Sequence, residues 1–120
     1  MAYITGIDHV QLAMPVGAED IARQFYSGVL GLAEIPKPAP LALRGGVWFQ
    51  CGGMQLHLGA DPEFQAARKA HPALVVADLA SFAAHLTGHG VALKSEDEVA
   101  GRARATLADP FGNRVELIAP

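Results

Sequence analysis

Four residues with chemically useful side chains recur at matching places in this chain. His9, in "DHVQLAM", and His71, in "HPALVV", each open a stretch of alternating apolar residues, 62 positions apart (9 to 71). His57, in "LHL", and Glu116, in "VEL", each stand between two apolar neighbours near the end of a stretch, 59 positions apart (57 to 116). Imidazole and carboxylate are good donors for Zn²⁺, Fe²⁺, Mn²⁺, Ni²⁺ or Co²⁺, and two His with one carboxylate around open positions is a recurrent catalytic arrangement. Any one of the four alone reads as a polar strand residue hydrogen-bonded to its neighbours. The matched placement of all four is what points to a metal.

The elements that must position them follow from periodicity. Residues 3–14 alternate Ile7, His9 and Gln11 against Asp8, Val10, Leu12 and Met14, the pattern of a half-buried strand, stopped by Pro15 and Gly17. Residues 17–31 predict a helix with Ile21, Phe25 and Val29 on one face, Glu19 and Asp20 in its first turn, and Gly28 and Gly31 at its end. Strands are expected at 32–35, 47–51 and 54–59. The Pro- and Gly-rich residues 36–46 read as a loop and 60–70 as a connector with a helical turn in 62–70. The order then restarts. A strand at 71–76 leads to a helix at 78–90, capped by Asp78, with a stripe of Leu79, Phe82 and Leu86, and closed by Gly88 or Gly90. Strands at 91–95, 102–108 and 114–119 complete it, the last two joined by "DPFGN". The chain is thus an internal repeat of βαβββ, an α+β domain over 1–120 with modules at about 3–60 and 70–120.

Composition narrows the partners. The 120 residues are 51% hydrophobic and 18% charged, enough apolar material for one core. A net charge of −3 recommends neither nucleic acid nor an anionic membrane. Cys51 is the single cysteine, so no disulfide forms within the chain. No signal-peptide pattern or bilayer-length apolar run is present, and a cytoplasmic protein is expected.

The segments "GIDHVQLAMP" (6–15), "FYSGVLGL" (25–32), "LHLGAD" (56–61), "ARKAHPALVVADL" (67–79) and "DPFGNRVELI" (109–118) together resemble the vicinal oxygen chelate superfamily, which includes glyoxalase I, bleomycin-resistance proteins, fosfomycin-resistance enzymes and extradiol dioxygenases. The closest likeness is to a group of short glyoxalase-like proteins. The resemblance implies that two βαβββ modules form an open eight-stranded barrel-like cup with the active site inside. It implies metal ligands on the first and last strand of each module, which are His9, His57, His71 and Glu116 here. It also implies a homodimer. The sequence departs from glyoxalase I at His57, where that enzyme usually carries a carboxylate. One histidine is therefore expected to sit behind the ligands, or the metal to expand beyond four ligands.

On this reading a divalent metal polarises a small oxygenated substrate in a lyase or isomerase reaction, Glu116 and His57 move the proton, and Arg104, Gln11 and Trp48 contact the substrate. Two alternatives stand beside it. One is a metal-free binding protein of the bleomycin-resistance type. The other is a thiol transferase of the fosfomycin-resistance type, for which Arg102 and Arg104 are the available basic groups. His85, His89, Arg68 and Lys69 read as exposed or structural, Phe25, Tyr26, Phe49 and Phe82 as core, and Cys51 as a turn residue without a base beside it.

Overall fold

The computed structural model describes residues 2–120, which divide into two compact units on either side of the Gln65–Ala66 junction. In the first, β1 (His9–Met14), β2 (Ala33–Ile35), β3 (Val47–Cys51) and β4 (Met54–Ala60) form one sheet in the order β1-β4-β3-β2. β1 runs parallel to β4 and the other pairs are antiparallel. The register sets Gln11 and Trp48 on either side of His57, and His9 opposite Gln55. Alternate residues of a strand face opposite sides, so His9, Gln11, Trp48, Gln55 and His57 share one face. The opposite face presents Met14, Val47, Phe49, Leu56 and Leu58, all buried together with Ala22, Phe25 and Tyr26 of the helical segment. Tyr26 is the hinge of this core, edge-on to Phe25 and tilted against Phe49 with centroids 5.5 Å apart. Each such fully buried side chain stabilises the fold by about 1.5–3 kcal/mol.

The helical segment differs from the expected one. α1 (Glu19–Ala22) is a single α-helical turn that continues as a π-helix over Arg23–Val29, with Leu30 donating to the carbonyl of Phe25. The wider turn shifts the inward face. Ala22, Phe25 and Tyr26 are buried, whereas Ile21 is 49% exposed. The β3–β4 hairpin turns on Gly52 and Gly53, with Gly52 at φ +58°, the left-handed conformation such a two-residue loop requires.

The second unit repeats the plan. β5 (Ala73–Val75), β6 (Lys94–Val99), β7 (Arg102–Ala108) and β8 (Arg114–Ile118) form a sheet in the order β5-β8-β7-β6, with β5 parallel to β8. Helix α2 (Leu79–Gly88) begins where the Asp78 carboxylate accepts from the Ser81 N–H at 3.0 Å. It ends with Gly90 at φ +75°, the Gly90 N–H on the Thr87 carbonyl and the Val91 N–H on the Leu86 carbonyl. Leu86 is fully buried, as are Leu117 and Val115 on the apolar face of the sheet. Between β7 and β8, Asp109 gathers the 109–113 turn by accepting from the Phe111 and Asn113 N–H groups.

Three other expectations shift. β6 lies at Lys94–Val99 rather than 91–95, because the Val91 N–H is committed to the end of α2. Residues 62–70 form no helix; Pro62 and Glu63 make a turn, Arg68 and Lys69 a bend, and the rest is irregular. β1 begins at His9, and His71 precedes β5 by two residues. Among the described residues no helix is long and apolar enough to cross a membrane.

Candidate functional site

The two units each bring one part of the polar set together. In the second unit the first and last strands lie side by side, with Ala73 opposite Glu116 and the Glu116 N–H on the Pro72 carbonyl. This pairing carries His71 to Glu116, whose side chain is 9% exposed: His71 Nε2 is 3.0 Å from Glu116 Oε1. The other ring nitrogen, Nδ1, is 2.8 Å from the Lys69 carbonyl. Both ring nitrogens are thus engaged, one by a backbone carbonyl and one by a carboxylate. Arg104, on β7, places Nη1 3.2 Å from the same Oε1 while its Nε donates to the Asp97 carbonyl. Burial alone would raise the Glu116 pKa, but the hydrogen bonds from His71 and Arg104 outweigh it and hold the carboxyl below its ordinary range.

Two further residues of this strand face are engaged within the sheet. Thr106, opposite Glu116, donates to Glu96 Oε1 at 3.0 Å, and Arg102 Nε donates to the Ala119 carbonyl at 2.8 Å.

In the first unit three rings stack across the sheet. His57 lies between Trp48, at 3.9 Å between centroids and 2° from parallel, and His9, at 4.3 Å and 16°. His57 is 3% exposed, and its Nε2 is 2.9 Å from the Gln55 side-chain oxygen. With Nε2 donating to that oxygen, the lone pair of the neutral ring is at Nδ1. Burial first, and the neighbouring His9 second, lower the His57 pKa and favour this neutral form. His9 is arranged the other way round: its Nδ1 sits 2.9 Å from Asp8 Oδ2, leaving Nε2 outward. Gln11 lies over Gly59, where an added Cβ would come within 2.5 Å of its Nε2. These residues line a cavity of about 660 Å³ within this unit, together with Asp8, Lys37 and Arg44.

The donor set suits a divalent metal. Metal-bound histidines characteristically donate their second nitrogen to a carbonyl or carboxylate, which fixes the tautomer. His71 on the Lys69 carbonyl and His9 on Asp8 both do so. Glu116 is held ionised, the state a ligand needs. His57 differs, since its Nε2 is engaged by Gln55. Within either unit, no group of three or more His, Cys, Asp or Glu side chains converges among the described residues.

The glyoxalase-like domain profile matches residues 12–118 of the chain. A solved glyoxalase family protein from Bacillus anthracis is 43% identical, with a TM-score of 0.96 over 99% of this chain and 98% of that one. The chain belongs to the glyoxalase-like domain family. Two further neighbours of this glyoxalase-like protein share its fold at lower identity. Lactoylglutathione lyase from Agrobacterium tumefaciens is 21% identical, with a TM-score of 0.76 over 98% and 96% of the two chains. The antibiotic-binding protein TnmS3 from a Streptomyces species is 20% identical, with a TM-score of 0.76 over 100% and 99%. No match exists among the curated proteins.

The polar faces thus collect His9, Gln11, Trp48 and His57 in one unit and His71, Arg104 and Glu116 in the other, on supports that the sequence analysis did not name. Asp8, adjacent to His9, was legible as a partner in principle. Gln55, two residues before His57 on the same strand face, carried the same signal. Lys37 and Arg44 reach the cavity from an irregular loop, where no periodicity predicts direction.

Proposed function

We propose that this glyoxalase-like protein is a divalent-metal-dependent lyase or isomerase acting on a small oxygenated substrate. The proposed ligands are the pair His71 and Glu116 of the second unit and the pair His9 and His57 of the first. The supporting observation is the 3.0 Å approach of His71 Nε2 to Glu116 Oε1, with His71 Nδ1 anchored on the Lys69 carbonyl. A divalent metal would be held by His71 and Glu116 in place of the hydrogen bond that now joins the two side chains. When bound, such an ion polarises a substrate oxygen and stabilises an enediolate-like anion.

The protein groups supply the rest. Glu116, ionised by Arg104 and His71, is a carboxylate able to accept a proton α to a carbonyl. His57, neutral and open at Nδ1, is the second proton acceptor where it sits behind the ligands, its one free lone pair serving either the metal or the proton. Trp48 and Gln11 flank His57 and present an aromatic surface and an amide to a substrate on this face. Arg104 is a positioning residue for Glu116, its charge directed at the carboxylate, and contacts substrate from beside it. The protein is proposed to work as a homodimer in the cytoplasm.

The test is metal content. Untagged protein purified without chelator is expected to carry near-stoichiometric divalent metal by mass spectrometry, lost in both His9→Ala and Glu116→Ala. That result directs a screen of α-hydroxy and α-keto substrates. Metal-free protein, even after reconstitution, would sink the proposal and favour a second reading, a metal-free binding protein. The cavity beside Trp48 and His57 is the observation on its side, being of a size that encloses a small organic molecule.

A further inference from the structure

The loop between β2 and β3 places two cations on the wall of the first unit's cavity. Lys37 Nζ donates to the Arg44 carbonyl and to the Gly45 carbonyl at 3.0 Å, which leaves its third N–H unspent. The Arg44 side chain is exposed, and neither cation forms an ion pair among the described residues. The single carboxylate on the cavity wall, Asp8, is already engaged by His9. Two basic side chains outside any ion pair thus stand on one concave wall beside the stacked rings, against the one carboxylate of Asp8; Arg44 also borders a second hollow that holds Glu19 and Asp20.

We propose that this cavity is an oxyanion site, in which Lys37 and Arg44 receive the carboxylate or phosphate of a small flat substrate. The inference deepens the proposed function by naming the substrate class for that face, and rests on the same reading of it. Guanidinium and ammonium bind both oxyanions by charge-assisted hydrogen bonds. The cavity volume of about 660 Å³ accommodates a molecule of metabolite size.

Trp48 is the chain's single tryptophan and lines the cavity, so its fluorescence reports occupancy directly. The experiment titrates the metal-stripped full chain with benzoate, its neutral analogue benzamide, and inorganic phosphate. At least one anion is expected to bind, benzamide about tenfold more weakly than benzoate where benzoate binds. Arg44→Gln is expected to weaken the anion several-fold and Arg44→Gln with Lys37→Gln at least about tenfold, with no change for benzamide. Benzoate alone assigns a carboxylate substrate and phosphate alone a phosphate ester. Because Lys37 also ties the loop carbonyls, Arg44→Gln alone decides the matter if the double variant unfolds. Binding of neither anion, equal binding of benzamide and benzoate, or anion binding indifferent to Arg44→Gln would overturn the site. Metal content measured in parallel separates the two proposals. Arg44-dependent anion binding in a protein that never takes up metal sustains this site and removes the metalloenzyme. Anion binding that appears only after metal loading and ignores both substitutions does the reverse.

Discussion

The indole of Trp48 lies flat on the imidazole of His57, 3.9 Å between centroids and 2° from parallel. A protonated imidazole at that range quenches indole emission more strongly than a neutral one. Burial lowers the His57 pKa from its ordinary 6.5. Emission is therefore expected to hold steady as the pH falls through 6.5 and to drop at lower pH. A fluorescence titration checks this, with His57→Gln as the variant that removes the step. A midpoint at or above 6.5 would contradict the environment described for His57.

The same depressed pKa makes stability depend on pH with a definite sign. Between 6.5 and the folded value, the unfolded chain binds a proton at His57 that the folded chain does not. Stability from this group therefore falls as the pH drops below 6.5 and levels off below the folded value. Urea unfolding at neutral and mildly acidic pH is expected to show a larger loss for the parent than for His57→Gln.

Glu116 behaves as a depressed acid. Its stabilising pairing with His71 and Arg104 is fully present above the ordinary carboxyl value of 4.5 and is lost as the pH falls through the lower, folded one. Removing the Arg104 guanidinium raises the folded pKa. Acid unfolding followed by circular dichroism should accordingly begin at higher pH in Arg104→Gln than in the parent.

Asp78 caps α2 through the Ser81 N–H and also accepts from the Ser81 hydroxyl at 2.8 Å. Asp78→Ala is expected to lower the urea midpoint, because the cap of α2 is lost. Ligand binding at Trp48 should be unchanged.

Gly46 precedes β3 at φ +114°, and a Cβ there would sit 2.6 Å from the Leu58 carbonyl oxygen. Backbone, not a movable side chain, meets the new atom. Gly46→Ala is expected to lose on the order of 2–3 kcal/mol in the same assay, the largest loss of the variants considered.

The fold was legible where strand periodicity was clean. β7 was predicted at its observed bounds, 102–108, and β4 to within one residue, because alternation and the Gly-Gly and DPFGN turns bracket them. β6 was displaced since "VAL" at 91–93 carries the apolar signal, whereas the true edge strand is "KSEDEV", whose charges suit an unpaired edge. Ile21 was placed inward by α-helical spacing that the π-helical turn does not keep. At the site, the repeat singled out His9, His57, His71 and Glu116, and the fold sets His71 beside Glu116 and His57 beside His9. It could not find the Lys69 carbonyl, the Gln55 amide or the Arg44 guanidinium, because each depends on a side-chain rotamer or a loop path that no period encodes.

Gly59 leaves bare backbone beneath the Gln11 amide, and any side chain there would strike it. The floor of the cavity is therefore set jointly by a long residue on one strand and a missing one on the next. In divergent relatives the two positions are expected to covary, a bulkier residue at 59 arriving with a shorter one at 11. Tracking that pair across the family would sort its members by the depth of the space they offer a ligand.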